Sequence, residues 1–192
     1  DVVGMAIDGH PNLCFVWYKN GKYSAGTSYE LDSARSPDDH SYILPINPQT
    51  GFRYRPEDIV GMAIDGENNW VFAWYKNEFA SAGTPRDLGA RRAPYHYDLA
   101  VNPRTGNECK PGHIKAIAMD GALNRTIVFY KHNVVSEGKT WDLDYFTTQG
   151  GSSGTYCIEN RPAININSKH FLGAGIDYTN QHVFIWSKAP NN

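Results

Sequence analysis

The stretch VGMAIDG at residues 3–9 decides the fold, because it recurs along the chain. It returns as VGMAIDG at 60–66, as KAIAMDG at 115–121 and as LGAGIDY at 172–178. A second stretch follows each copy at the same distance: FVWYK at 15–19, FAWYK at 72–76, IVFYK at 127–131 and FIWSK at 184–188. Two stretches that keep one register show that the chain is built from repeated units.

The period of the repeat is 55–57 residues, so the chain holds three complete units and a fragment. We predict a single repeat domain over 1–192, with units at 1–57, 58–112 and 113–169 and a partial unit at 170–192. A third stretch, SAGT at 24–27 and 81–84 and SEGK at 136–139, recurs only in the three complete units. The fourth unit therefore lacks its second half.

Each unit favours antiparallel β-structure. A short strand runs to an Asp-containing turn, an aromatic and β-branched strand follows, and weaker strands are separated by Gly, Pro, Asn and Asp. The first strand alternates small residues (Gly4 and Ala6 in the first copy) with bulky ones (Met5 and Ile7). Such a strand suits a crowded interior, where neighbouring sheets approach closely.

We therefore predict an all-β fold made of small sheets arranged radially, a β-propeller with about four blades whose last blade is reduced. The alternative is a β-trefoil-like fold with pseudo-threefold symmetry, because only three units are complete. We expect the last hairpin, at 172–188, to form a reduced fourth sheet beside the first unit.

Composition limits the classes of function. The 192 residues are 41% hydrophobic and 20% charged with a net charge of −2, which indicates a folded protein. Near-neutral charge removes the long-range attraction on which sequence-independent nucleic-acid binding rests, so we expect no nucleic-acid partner. The sequence contains no apolar run of about 20 residues, so we expect no membrane insertion.

One aspartate per unit ends the first strand: Asp8, Asp65, Asp120 and Asp177. Four carboxylates around one axis would suit a cation such as calcium. Alternatively, each aspartate opens a turn and accepts hydrogen bonds from nearby backbone N–H groups.

The aromatic strand supplies most of the candidate ligand-binding residues. Trp17, Trp74 and Trp186 share one register and belong either to the core or to a binding platform. The next two positions hold a tyrosine and a lysine in each complete unit: Tyr18 and Lys19, Tyr75 and Lys76, Tyr130 and Lys131. An aromatic face stacked on a sugar, with polar groups on its hydroxyls, is an ordinary binding arrangement, while a solvated strand end is the alternative.

A polar loop adds Arg35, which aligns with Arg92 in the second unit. This loop either reads a ligand in two units or is merely solvated. Cys109 and Cys157 occupy loop-like surroundings and are the plausible disulfide pair of a secreted protein, whereas Cys14 lies in a strand and should be a buried free thiol.

The layout of a hydrophobic strand ending in Asp, an aromatic hairpin and a Tyr-x-Leu stretch (42–44) resembles the blade of a hemopexin-like four-bladed β-propeller. More loosely, it is similar to the repeats of fungal and bacterial lectin-type propellers. The resemblance implies a binding platform for sugars, proteins, ions or porphyrins more than a catalyst.

We therefore expect a carbohydrate-binding protein, a lectin or hemagglutinin with several related sites for glycans or glycoproteins, and oligomers are compatible with it. The alternatives are a hemopexin-like module that binds an ion, haem or a protein partner, and a secreted hydrolase with two carboxylates such as Asp65 and Asp120. The sequence contains no known catalytic motif, so we expect no enzyme. The glycosylation triplet at 124–126 leads us to expect secretion.

Overall fold

A computed structural model describes residues 1–8, 13–27, 29–66, 68–120, 125–131, 134–150, 171–177 and 182–187. The predicted all-β class is confirmed in this part of the chain. Its strands are β1 (Val2–Asp8), β2 (Leu13–Tyr18), β3 (Tyr23–Gly26), β4 (Ile59–Asp65), β5 (Trp70–Tyr75), β6 (Phe79–Gly83), β7 (Arg92–His96), β8 (Ile114–Asp120), β9 (Arg125–Tyr130), β10 (Val134–Lys139), β11 (Asp142–Gly150), β12 (Phe171–Asp177) and β13 (His182–Ser187).

The strands form four separate antiparallel sheets, one for each unit of the repeat. Their orders are β1-β2-β3, β4-β5-β6-β7, β8-β9-β10-β11 and β12-β13. Single turns of 3₁₀-helix, Pro56–Asp58 and Pro111–His113, lead into β4 and β8. The last hairpin forms a two-stranded sheet, as its truncated repeat predicts. No helix in the described residues is long and apolar enough to cross a membrane.

The first hairpin of every sheet has the same register. Gly4 pairs with Trp17, Gly61 with Trp74, Ala116 with Phe129 and Gly173 with Trp186, and each pair follows an irregularity at the start of the first strand. The aspartate at the end of the first strand pairs with the first residue of the second strand in all four sheets. Identical register explains why the two sequence blocks keep a constant spacing.

The first strands of the four sheets contact one another in cyclic order. β1 packs against β4, β4 against β8, β8 against β12, and β12 against β1. The small residue of one strand receives the bulky residue of the next: a Cβ atom on Gly4 would lie 2.6 Å from Met62 Sδ, and one on Gly61 would lie 2.7 Å from Ile117 Cδ1. The small and bulky faces read from the sequence therefore interlock between sheets.

Four hydrophobic clusters fill the four boundaries between neighbouring sheets. The first joins Phe15 and Trp17 to Val71 and Tyr75, and the second joins Phe72 and Trp74 of the second sheet to Val128 and Tyr130 of the third. Two smaller clusters join the third sheet to the fourth and the fourth to the first. Because each of the first three sheets has a neighbour on both faces, both faces of its aromatic strand are buried.

Backbone hydrogen bonds also link neighbouring units outside the sheets. The Ile43 N–H donates to the carbonyl of Arg86 over 2.7 Å, and the Leu88 N–H returns to the carbonyl of Ile43 over 3.0 Å. The next boundary repeats this clamp through Asp98, which donates to Trp141 over 3.0 Å and accepts from Leu143 over 3.1 Å. These bonds fix the turn before residue 88 or 143 against the preceding unit.

Candidate functional site

Two tryptophans anchor the boundaries between units. Trp17 donates its indole N–H to the carbonyl oxygen of Pro85 over 3.0 Å, and Trp74 donates to Thr140 over 3.0 Å. The two carbonyls occupy the same position in successive units. Both indoles are fully buried, so they belong to the core and neither is accessible to a surface ligand.

Trp186 occupies the same register in the fourth sheet and is half-buried. It packs against the cluster that joins the fourth sheet to the first, and its ring stacks on Phe184 with centroids 6.4 Å apart. A Cβ atom added to Gly175 would lie 3.2 Å from Cη2 of the Trp186 indole. This tryptophan therefore also packs between sheets.

The tyrosines that follow are structural in the second and third sheets. The hydroxyl of Tyr75 lies 2.8 Å from Ser81 Oγ, and Ser136 Oγ donates to the hydroxyl of Tyr130 over 3.3 Å. Burial raises the pKa of both phenols. Neither ring is available to a ligand, because the adjacent sheet covers it. Tyr18, which is half-buried, makes the same contact with Ser24 at 3.0 Å.

The lysines stand on the surface, away from these rings. Lys19, Lys76 and Lys131 are exposed at the ends of their strands. Lys19 Nζ lies 3.4 Å from Asp1 Oδ2, an exposed ion pair of the kind that contributes little to stability. Burial, together with the nearby charge of Lys131, lowers the pKa of Lys115. The structure does not bring the tyrosines and lysines together into one sugar platform.

The aspartates lie at equivalent strand ends, and one of them clearly organises its turn. Asp65 accepts from the backbone N–H of Asn68 over 3.3 Å and from its side-chain amide over 2.9 Å. Asp8 and Asp120 end β1 and β8 in the same way, and Asp177 ends β12. Among the described residues, no three His, Cys, Asp or Glu side chains gather as a metal site requires.

An open cleft lies between the first and second units, and we call it the first cleft. It encloses about 730 Å³ and is lined by Tyr23, Ala34, Arg35, Asp39, His40, Ser41, Thr84, Pro85 and Arg86. The volume falls in the usual range for small-ligand sites. Of the residues selected from sequence, only Arg35 lines it.

The walls of the first cleft come from two different units. Tyr23 starts β3 and its ring packs 5.5 Å from that of His40, with an angle of 33° between them. Arg35 is held because its backbone N–H donates to Ala25 over 2.7 Å, and its guanidinium donates to the Tyr23 hydroxyl over 3.3 Å. The opposite wall is the turn whose Pro85 carbonyl accepts the indole N–H of Trp17.

The equivalent place between the second and third units is built differently, and we call it the second boundary. Arg92 stands where Arg35 does, and its guanidinium carbon lies 4.8 Å from the ring centre of Tyr95 and 4.3 Å from that of Trp141. The two rings meet edge to face at 6.0 Å. Trp141 occupies the position of Arg86, so an aromatic ring here covers the cation.

Two of the three cysteines, Cys14 and Cys109, lie within the described residues, and both are buried. Cys14 is a buried free thiol, as its strand position predicts, and burial raises its pKa to about 12. Cys109 is also a buried free thiol, and burial raises its pKa to about 11. Cys109 fills the core position that Tyr54 fills one unit earlier, and its predicted pairing with Cys157 stays a prediction. Cys157 lies outside the described residues, as does Asn124 of the glycosylation triplet.

Comparison with known proteins adds little to this geometry. No protein-family model matches the chain, and no curated protein sequence matches it. The chain is similar to the solved structure of U3-55K, with a TM-score of 0.44 and 8% identity over 97% of this chain and 51% of that chain. The chain therefore spans about half the length of that match, and a likeness at this level carries no argument about function.

His40 belongs to the same polar loop as Arg35 in the sequence, but sequence reasoning missed three residues that complete the first cleft: Tyr23, Thr84 and Arg86. The signal that finds them is the repeat itself. Because each indole N–H reaches the turn of the following unit, the two walls of a cleft lie about one period apart in sequence. Alignment of equivalent positions within the units does not reveal this pairing.

Proposed function

We propose that this protein binds carbohydrates in the first cleft, between the first two blades of a four-bladed β-propeller. The observation that carries the proposal is an open cleft of about 730 Å³ whose lining combines the half-buried ring of His40, hydroxyl groups and two arginines. Sugars are bound by such sites, with flat groups under their apolar faces and polar groups on their hydroxyls.

The propeller architecture is supported by the cyclic packing of four sheets. Each first strand contacts the first strands of both neighbours, and Gly173 of the fourth sheet packs against Met5 of the first, with an added Cβ 3.4 Å from Met5 Cβ. Four separate sheets favour this arrangement over a trefoil of three. Blade boundaries are where such a ring has clefts.

Rigid walls favour binding, because less free energy is needed to order a preformed site when the ligand binds. The first cleft has its turn fixed twice, by the indole of Trp17 on Pro85 and by the backbone of Ile43 on Arg86. Tyr23 is anchored through its own N–H, which donates to the His40 carbonyl over 3.0 Å. We place such a protein outside the cell, where glycans and glycoproteins are exposed.

The test is a glycan array followed by calorimetric titration of the best ligand. Ala34 is exposed and lines the first cleft, so Ala34→Trp should fill the cleft and remove one binding site per chain. Ala90 is exposed outside the cleft, and Ala90→Trp is the matched control. An array without binding at high protein concentration rejects the function. Unchanged stoichiometry in Ala34→Trp rejects the location.

A further inference from the structure

Two arginines line the first cleft, and neither forms an ion pair with a carboxylate among the described residues. Arg35 and Arg86 both line it and both are exposed. Asp39 lines the same cleft, yet no ion pair joins it to either arginine within the described residues. The arginines are therefore not consumed by an internal salt bridge, although the whole chain has a net charge of −2.

A hydrogen bond fixes one part of each arginine. The Arg35 guanidinium, which has five N–H donors, makes one hydrogen bond among the described residues, from Nη1 to the Tyr23 hydroxyl. The carbonyl of Arg86 accepts from Ile43 over 2.7 Å, so its Cα is fixed on the opposite wall. Two positive groups thus face one space from two units.

At the second boundary, the position equivalent to Arg86 holds an uncharged residue. Trp141 replaces Arg86, and the guanidinium carbon of the remaining cation, Arg92, lies 4.8 Å from the ring centre of Tyr95 and 4.3 Å from that of Trp141. The open pair of arginines is therefore a feature of the first cleft and not of the repeat.

Guanidinium is the side chain best suited to oxyanions, since its planar fork can form two parallel hydrogen bonds to two oxygens of a carboxylate or sulfate. From these observations we infer that the first cleft selects saccharides that carry a carboxylate or sulfate group, an inference that rests on the proposed function. The half-buried ring of His40 would contact the sugar ring, while Arg35 and Arg86 bind the anionic group.

The experiment is a titration of the full chain with three disaccharides of one backbone: the neutral parent, its uronate form and its sulfated form. We expect an anionic form to bind at least about tenfold more tightly than the parent, since hydrogen bonds to charged groups are the stronger ones. Comparing the affinities of the uronate and sulfated disaccharides shows whether the cleft prefers a carboxylate or a sulfate. Raising the salt concentration should weaken the anionic arms alone.

Variants assign the preference to the cleft. Arg86→Gln should cancel the anionic preference, so that the variant binds the anionic forms and the neutral parent with equal affinity. Arg86→Lys keeps the charge without the fork and should retain part of the preference. The matched control, Arg92→Gln at the second boundary, should leave the preference unchanged.

The outcomes separate the two proposals. If no saccharide binds at all, the proposed function fails. If the neutral and anionic forms bind the cleft equally, the function stands and the charge selection is overturned. Selection is likewise overturned if the anionic preference survives in a folded Arg86→Gln protein, with folding checked by circular dichroism.

Discussion

Trp17 donates its indole N–H to the carbonyl oxygen of Pro85 across the boundary between the first two sheets, over 3.0 Å. Trp74 makes the same bond to Thr140 at the next boundary. The third unit has Phe129 in this register, and a phenyl ring carries no N–H group, so this bond cannot form from the third unit.

Removing the donor at the second boundary should destabilise the fold. Trp74→Phe leaves the carbonyl of Thr140 without its partner in a buried setting and leaves space beside it. We expect a loss of about 2 kcal/mol in the free energy of unfolding, measured by urea denaturation. The control is Trp70→Phe, because Trp70 is half-buried and its indole donates no hydrogen bond among the described residues. Equal losses in both variants would contradict the role of the bond.

The interlocking of first strands predicts a size limit at Gly61. Gly61→Ala should cost about 1–3 kcal/mol of unfolding free energy, because the new methyl group would lie 2.7 Å from Ile117 Cδ1. Adding Ile117→Ala should recover part of this strain in a double-mutant cycle. Between the third and fourth sheets, the two equivalent positions are both alanine, Ala116 and Ala174, and they share one hydrophobic cluster. Gly112→Ala is the control, since nothing lies within 4 Å of its added Cβ. Simple additivity of the two changes would refute the predicted contact.

Thr126 predicts a stabilising substitution. Its side chain is fully buried, and its hydroxyl is the one buried side-chain N or O atom without a hydrogen-bond partner among the described residues. The second unit has Val71 in the same register. Thr126→Val should raise the free energy of unfolding by about 1 kcal/mol, because it removes an unsatisfied hydroxyl at nearly constant shape. Thermal unfolding that shows a lower midpoint would contradict the assignment.

The two buried thiols should be inert in the folded protein. Burial raises the pKa of Cys14 to about 12 and that of Cys109 to about 11, so at pH 8 very little thiolate is present to react. Iodoacetamide at pH 8 should label neither residue before unfolding and both after unfolding without reductant, as peptide mapping would show. Recovery of Cys109 in a disulfide-linked peptide would overturn its free state and confirm the predicted pair with Cys157.

Much of the fold follows from the sequence, because the repeat constrains it. The spacing of Asp8 and Asp65 and the alternation of small and bulky residues around Met5 predict the sheets and their interlocking inner strands. The burial of Tyr75 and Tyr130 was missed for a physical reason: a strand between two packed sheets has no solvent face, so alternation does not mark a ligand side.

The candidate site is less accessible to sequence reasoning. Arg35 stands out by its alignment with Arg92, but its partner across the cleft, Arg86, comes from the following unit. Two walls one period apart come together only through the twist and packing of separate sheets. Alignment of the repeats shows which residues are equivalent in different units, but it does not show which residues face each other across a cleft.

The most direct test of the central claim is a crystal structure of the protein with its best array ligand bound. We predict density for the saccharide in the first cleft, against His40 and between Arg35 and Arg86. A saccharide bound instead on the exposed strand ends near Lys19 or Lys76, with the cleft empty at saturating ligand, would contradict the account.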